Sequence, residues 1–192
     1  IGFSGDAFIS WKSLDFQPYF NATASNVLYS YWSHDIGGHT HADHIDPELY
    51  TRWMQFGLFS PILRTHSTKN SGLNKEPWAF SHDYTSELRD IIKTRYELVP
   101  YIYTMARRTY DDALPLCRPM YYDYPEAEEA YTEKNEYMFG DNMLVNPVTE
   151  PMKDGRAEKR VWLSAGNGWE EVSSGTLLGG GQTGSRGFNI AE

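Results

Sequence analysis

Three short stretches carry side chains able to move or hold a proton: FSGDAF around Asp6, SHDIGGH around Asp35 and ILRTHS around His66. A carboxylic acid can protonate a leaving oxygen, while a carboxylate and an imidazole can hold hydroxyl groups. A fourth stretch, His39-Thr40-His41-Ala42-Asp43-His44, spaces imidazoles and a carboxylate as a site for two divalent metal ions would. Each has a plainer reading when taken singly. Gly-Asp pairs, at Asp6 and again at Asp141 in FGDN, are commonly turns. Asp35 can cap the turn that follows it, His66 can be a rim histidine, and HTHADH can be a polar loop with three chance histidines.

The surrounding sequence says what must position these groups. Residues 27–34, VLYSYWSH, are β-branched and aromatic and run into Asp35-Ile36-Gly37-Gly38, which reads as a buried strand ending in a glycine turn. Asp46-Pro47-Glu48 then starts a helix over roughly 47–58, with Asp46 as its N-cap and Leu49, Trp53, Phe56 and Gly57 on one side. Residues 60–66, SPILRTH, read as a second short strand. A polar loop over 67–80 precedes a long helical stretch over roughly 83–113, which Pro100 kinks or divides. Strand, helix, strand, helix is the βα alternation of a parallel sheet or barrel. Asp35 and His66 both follow a strand, the end at which a βα barrel builds its sites. Asp6, Asp35 and His66 recur about once per barrel segment, so three polar groups on one rim could embrace a sugar ring.

The character changes after that. Residues 118–135 are rich in proline and acid, and short candidate strands follow at 143–148, 160–163 and 169–172. The last 20 residues carry six glycines and show no obvious ending. This reads as the start of a small β domain, and both termini look cut. The 192 residues carry a net charge of −9, which argues against nucleic acid as a partner. No apolar run approaches the ~20 residues of a membrane span. Any leader would precede Ile1. The 15% aromatic content suits sugar rings and plain core packing alike. The single Cys117 excludes an intrachain disulfide. Asn21-Ala22-Thr23 fits a glycosylation acceptor, a triplet that arises often by chance.

FSGD, WSHDIGGH, RWMQFGLFSPILRTHS and YMFGDNMLVNPV, in this order and spacing, resemble glycoside hydrolase family 31, the α-glucosidase and α-xylosidase family. The resemblance covers essentially the whole chain. It implies an α/β fold: the C-terminal portion of a (β/α)8 TIM barrel, followed by the start of a β-sandwich domain. Residues 1–117 would run from after strand six through strand and helix eight, 118–136 would connect, and 137–192 would begin the proximal C-terminal β domain. By the same resemblance, Asp6 is the general acid/base, Asp35 and His66 hold hydroxyls of the −1 sugar, and Phe3 lines that subsite. Ala7 departs from the asparagine that often follows the acid, and His39 replaces a frequent aromatic after DIGG, making the pocket wall more polar. The apolar neighbours of Asp6 would raise its carboxyl pKa by disfavouring the charged form, as an acid catalyst requires.

The family is retaining, and its nucleophile, an aspartate at the end of strand four, has no counterpart in these residues. An arginine that the family places just before the acid segment is also missing. The expected activity is hydrolysis of terminal α-linked glucosyl or xylosyl residues from oligosaccharides or glycosides, without a cofactor or metal. The isolated chain is expected to be inactive. Two other readings stand beside it. One is a dinuclear metallohydrolase on HTHADH, the signature of metallo-β-lactamase-type hydrolases. The other is a non-catalytic carbohydrate-binding relative.

Overall fold

The computed structural model describes residues 2–191. It opens with β1 (Gly2–Phe3), the Asp6 turn and α1 (Trp11–Thr23), which Ser10 caps by accepting from the Ser13 N–H at 3.2 Å. β2 (Trp32–Ser33) lies parallel to β1, with Gly2 opposite Trp32 and Phe3 opposite Ser33. The strand expected over 27–34 is therefore mostly not a strand. A 3₁₀ turn extends α1 through Val27, Leu28 takes a left-handed conformation (φ 66°), and Val27, Leu28 and Tyr29 are exposed. The β-branched run has no neighbouring ladder to join until Trp32.

Helix α2 (Pro47–Leu58) matches its expected span, and the Asp46 side chain accepts from the Glu48 N–H at 3.0 Å. The expected strand over 60–66 is reduced to a single parallel bridge, Ile36 to Thr65. Pro61 supplies no N–H for a longer ladder. The long helical stretch is two helices, α3 (His82–Glu97) and α4 (Val99–Asp112), divided at Leu98, and Pro100 sits in the first turn of α4. Proline fits there because the first N–H groups of a helix have no intrahelical partner.

Next comes an antiparallel sheet of β3 (Cys117–Pro119), β4 (Tyr137–Phe139) and β5 (Met143–Val145), with the one-turn α5 (Glu129–Thr132) between β3 and β4. Asp141 occupies the β4–β5 corner, where its carboxylate pairs with Arg108 and Arg118. β4 joins two cores by strand alternation. Tyr137 and Phe139 face the main cluster with Leu14, Ile36, Trp53, Phe56 and Leu88, while Met138 faces a smaller one with Met120, Ala130 and Trp162. β6 (Ala157–Leu163) pairs with β9 (Gln182–Phe188), and β7 (Gly168–Glu171) with β8 (Thr176–Gly179), all antiparallel. The glycine-rich tail thus forms two strands. It seats on α2, where Arg52 donates to the carbonyl of Asn189 at 2.8 Å and Gln55 to that of Ile190 at 2.8 Å. Asn21 is only 2% exposed within α1, so its glycosylation triplet is closed in the fold.

Glu136 is buried between these sheets. One carboxyl oxygen accepts from the Trp162 N–H and the Asn146 amide, both at 2.7 Å, and the other has no partner. Burial pushes its pKa up to about 8. Between pH 4.5 and about 8 the folded state therefore keeps a proton that the unfolded chain has already released. The stability this gives is complete below the unfolded pKa and is lost as pH rises through the folded one. Glu136→Gln mimics the protonated form. Urea denaturation should find it about 1–3 kcal/mol more stable than the parent at pH 8 and near-equal at pH 4.

Candidate functional site

Backbone bonds bring the three segments singled out by sequence to one rim. The Ser4 N–H donates to the Ser33 carbonyl at 3.0 Å, and the Ile36 N–H to that of Arg64 at 3.2 Å. The His39 N–H donates to the carbonyl of Ala7 at 2.6 Å, the Ile9 N–H to Thr40 at 3.0 Å, and the Thr68 N–H to His39 at 3.0 Å. Gly5 (φ 77°) makes the turn that presents Asp6. Gly37 (φ 84°) turns the chain just after Asp35, and a Cβ there would meet the Tyr50 ring at 2.7 Å.

Asp35 is fully buried. Arg64 donates to its Oδ1 at 2.5 Å, and its Oδ2 has no partner. The imidazoles of His39 and His66 adjoin, with ring centroids 5.0 Å apart. One ligand atom each from Asp35, His39 and His66 all lie within 4.8 Å of one another. Asp6 joins through His39, whose Nδ1 is 3.6 Å from Asp6 Oδ2. Phe3 stands beside Arg64, the guanidinium carbon 5.9 Å from its ring centroid. Asp6, Asp35 and His66 therefore each adjoin His39, and Phe3 adjoins Arg64, the partner of Asp35.

The apolar enclosure expected around Asp6 is absent. Its side chain is 64% exposed, and Phe3 and Phe8 are half-exposed themselves. Phe8 packs on His41 instead, with ring centroids 3.9 Å apart. Neighbours in sequence along a turn point different ways, so an aromatic-rich stretch need not wrap its own carboxylate.

His34, next to Asp35, serves the scaffold. Trp53 Nε1–H donates to its Nδ1 at 3.0 Å, its Nε2 bonds to the Ser60 hydroxyl at 2.9 Å, and that hydroxyl donates to the Phe56 carbonyl at 3.1 Å. Burial pushes its pKa down to about 3, so it is a neutral link that locks β2 to α2. Sequence reasoning missed this role, and also missed Arg64 and Lys75. Lys75 is buried behind the site, its ammonium donating to the carbonyls of Ile36, Gly38 and His66. Arg64 carried a faint signal, a cation two residues before His66 in an apolar run. Lys75, in a polar loop, carried none.

Among the described residues, Asp35, His39 and His66 are the one group spaced to hold a metal. The HTHADH motif does not assemble: of its histidines only His39 joins the cluster, and His41 turns away in a left-handed conformation (φ 64°). The electrostatics disfavour a cation. Arg64 already engages Asp35, and the Lys75 ammonium lies close behind, so a metal would add positive charge beside two cations. Acceptors and donors arranged this way suit neutral hydroxyls, each of which can both donate and accept. An open cleft of about 970 Å³ borders the cluster and reaches His66 and Lys75 but not Asp6 or Asp35.

Residues 1–105 match the family described as the glycosyl hydrolases family 31 TIM-barrel domain, and residues 113–189 the glycosyl hydrolase family 31 C-terminal domain. An alpha-xylosidase of Saccharolobus solfataricus is 34% identical over 95% of this chain and 24% of its own length. The neutral alpha-glucosidase C of Mus musculus is 35% identical over 77% of this chain and 16% of its own. Among solved structures, a family 31 dextranase of Flavobacterium johnsoniae complexed with isomaltotriose superposes with a TM-score of 0.89 at 31% identity, over 100% of this chain and 24% of that one. The chain thus spans about a quarter or less of the length of these relatives.

The Asp35–Arg64 pair generates a stability prediction. Arg64→Met leaves a fully buried carboxylate without its guanidinium and should cost about 2–4 kcal/mol, below the full penalty for a broken buried pair because Arg64 is itself 39% exposed. Adding Asp35→Asn should recover most of that loss in urea denaturation.

Proposed function

The chain belongs to glycoside hydrolase family 31, and from that premise we propose that it carries the acid/base side of a retaining α-glycosidase. Its substrate would be a terminal α-linked glucosyl or xylosyl residue of an oligosaccharide or glycoside. One observation carries the proposal: Asp6, Asp35 and His66, from three separate segments, are gathered around His39 at one rim. The names of the relatives, alpha-xylosidase and neutral alpha-glucosidase, support the substrate class.

In this reading residues 1–117 are the last part of the (β/α)8 barrel, from after strand six through helix eight. The parallel β1–β2 pair, the Ile36–Thr65 bridge and the helices that follow them support it. Residues 118–136 connect, and 137–192 begin the proximal C-terminal β domain. The nucleophilic aspartate lies upstream, outside these 192 residues.

Asp6 acts twice. As an acid it protonates the glycosidic oxygen while the upstream carboxylate attacks the anomeric carbon. As a base it then takes a proton from the water that releases the sugar. Asp35 Oδ2, free of protein partners, accepts from a ring hydroxyl, and the His66 imidazole bonds another. Phe3 lines the subsite. Because Asp6 is open on this side, its exclusion from water falls to the substrate and the remaining barrel.

No helix among the described residues is long and apolar enough to cross a membrane. No cofactor enters the mechanism.

In the complete enzyme, Asp6→Ala should lower kcat for natural glycosides by about 10²–10⁴-fold. Aryl glycosides with good leaving groups need little protonation and should lose far less in the first step. Equal losses for both substrate types would overturn the acid role. The isolated chain should turn over neither.

A further inference from the structure

We propose that Lys75 is the positioning residue that sets the spacing between Asp35 and His66, by holding the main chains of both segments with one ammonium group. The inference rests on the sugar-binding role given above to those two residues.

Lys75 is 8% exposed. Its Nζ donates to the carbonyls of Ile36 at 2.5 Å, Gly38 at 2.6 Å and His66 at 2.5 Å. An ammonium has three N–H donors, and all three are used. Two of the acceptors follow Asp35 and flank Gly37 in its glycine turn; the third is the carbonyl of His66 itself. Nζ therefore cross-links segments whose one strand-type link among the described residues is the Ile36–Thr65 bridge. The lysine is anchored in turn, because the Tyr50 hydroxyl donates to its carbonyl at 2.8 Å. Gly37 leaves the room required: a Cβ there would stand 3.0 Å from Lys75 Cε and 3.2 Å from Nζ.

The groups facing the ammonium oppose one another. Burial pulls its pKa down to about 8, the Asp35 carboxylate raises it, and the Arg64 guanidinium lowers it further. Tyr50 and His66 also adjoin Lys75 through hydrogen bonds, and burial pushes the Tyr50 hydroxyl pKa upward, which keeps it neutral. A neutral amine has only two N–H donors, so losing the proton must release one of the three carbonyls. Activity and stability then move apart with pH. Between about pH 8 and the unfolded value of 10.5, the unfolded chain holds the extra proton, so this group's contribution to stability rises with pH. The grip on the site loosens over the same window.

The test uses the complete enzyme and measures binding of D-glucose and D-xylose together with turnover. Lys75→Met should weaken binding of the monosaccharide that the wild type prefers and lower kcat/KM on the order of 10²-fold, well below its melting temperature. The loss should be the same for good and poor leaving groups, unlike that of Asp6→Ala. In the wild type, monosaccharide affinity should fall from pH 7 to 9.5 in step with a single deprotonation, an arm that needs no variant to fold. Binding that stays flat with pH, a Lys75→Met enzyme within twofold of wild type, or a loss that depends on the leaving group would each overturn the proposal. Monosaccharide binding requires no proton from Asp6, so a failed acid role and a failed Lys75 role give different results.

Discussion

Parallel alignment of neighbouring chain segments at one rim is the constraint on which the rest of this molecule depends. Two-residue strands cannot hold that alignment alone. It is completed by single backbone bonds, Ser4 to Ser33 and Ile36 to Arg64, and by the Asp6 and His39 turns gripping each other through Ala7. Behind the rim, α2 supplies rigidity. Its Trp53 ties to His34, and Gly57 lets the helix approach Ile36 so closely that a Cβ would meet Ile36 Cδ1 at 2.4 Å. The cluster is thus built on packed elements, although its residues sit on turns.

The electrostatics follow from that geometry. Asp35 is buried on one side by Arg64 and backed by Lys75, while one of its oxygens is left without a partner. A buried unpartnered acceptor is costly in a resting protein. A hydroxyl-rich ligand would satisfy it, and the adjoining imidazoles of His39 and His66 extend the same polar surface. Asp6, by contrast, faces solvent. The contrast separates a buried carboxylate backed by two cations from one that is open to solvent.

What sequence could reveal follows the range of the interactions. Helix α2 was legible because its start is local: Asp46 caps, Pro47 fits the first turn and Glu48 follows. Asp6, Asp35 and His66 were legible as carboxylates and an imidazole at segment ends. The strands over 27–34 and 60–66 were overestimated, since β propensity cannot supply a missing ladder partner. The two strands in the glycine-rich tail were hidden because their faces are largely exposed and carry no alternation. Lys75 was invisible for a deeper reason. Its partners are main-chain carbonyls of residues 36, 38 and 66, and no side-chain pattern records such bonds.

The most direct test of the account is a crystal structure of the complete enzyme with a bound α-anomeric monosaccharide. One pyranose should place hydroxyls within about 3 Å of Asp35 Oδ2 and of the His66 imidazole, with the Asp6 carboxyl within about 3 Å of the anomeric oxygen. A sugar bound away from Asp35 and His66, or one whose anomeric oxygen lies beyond the reach of Asp6, would contradict it.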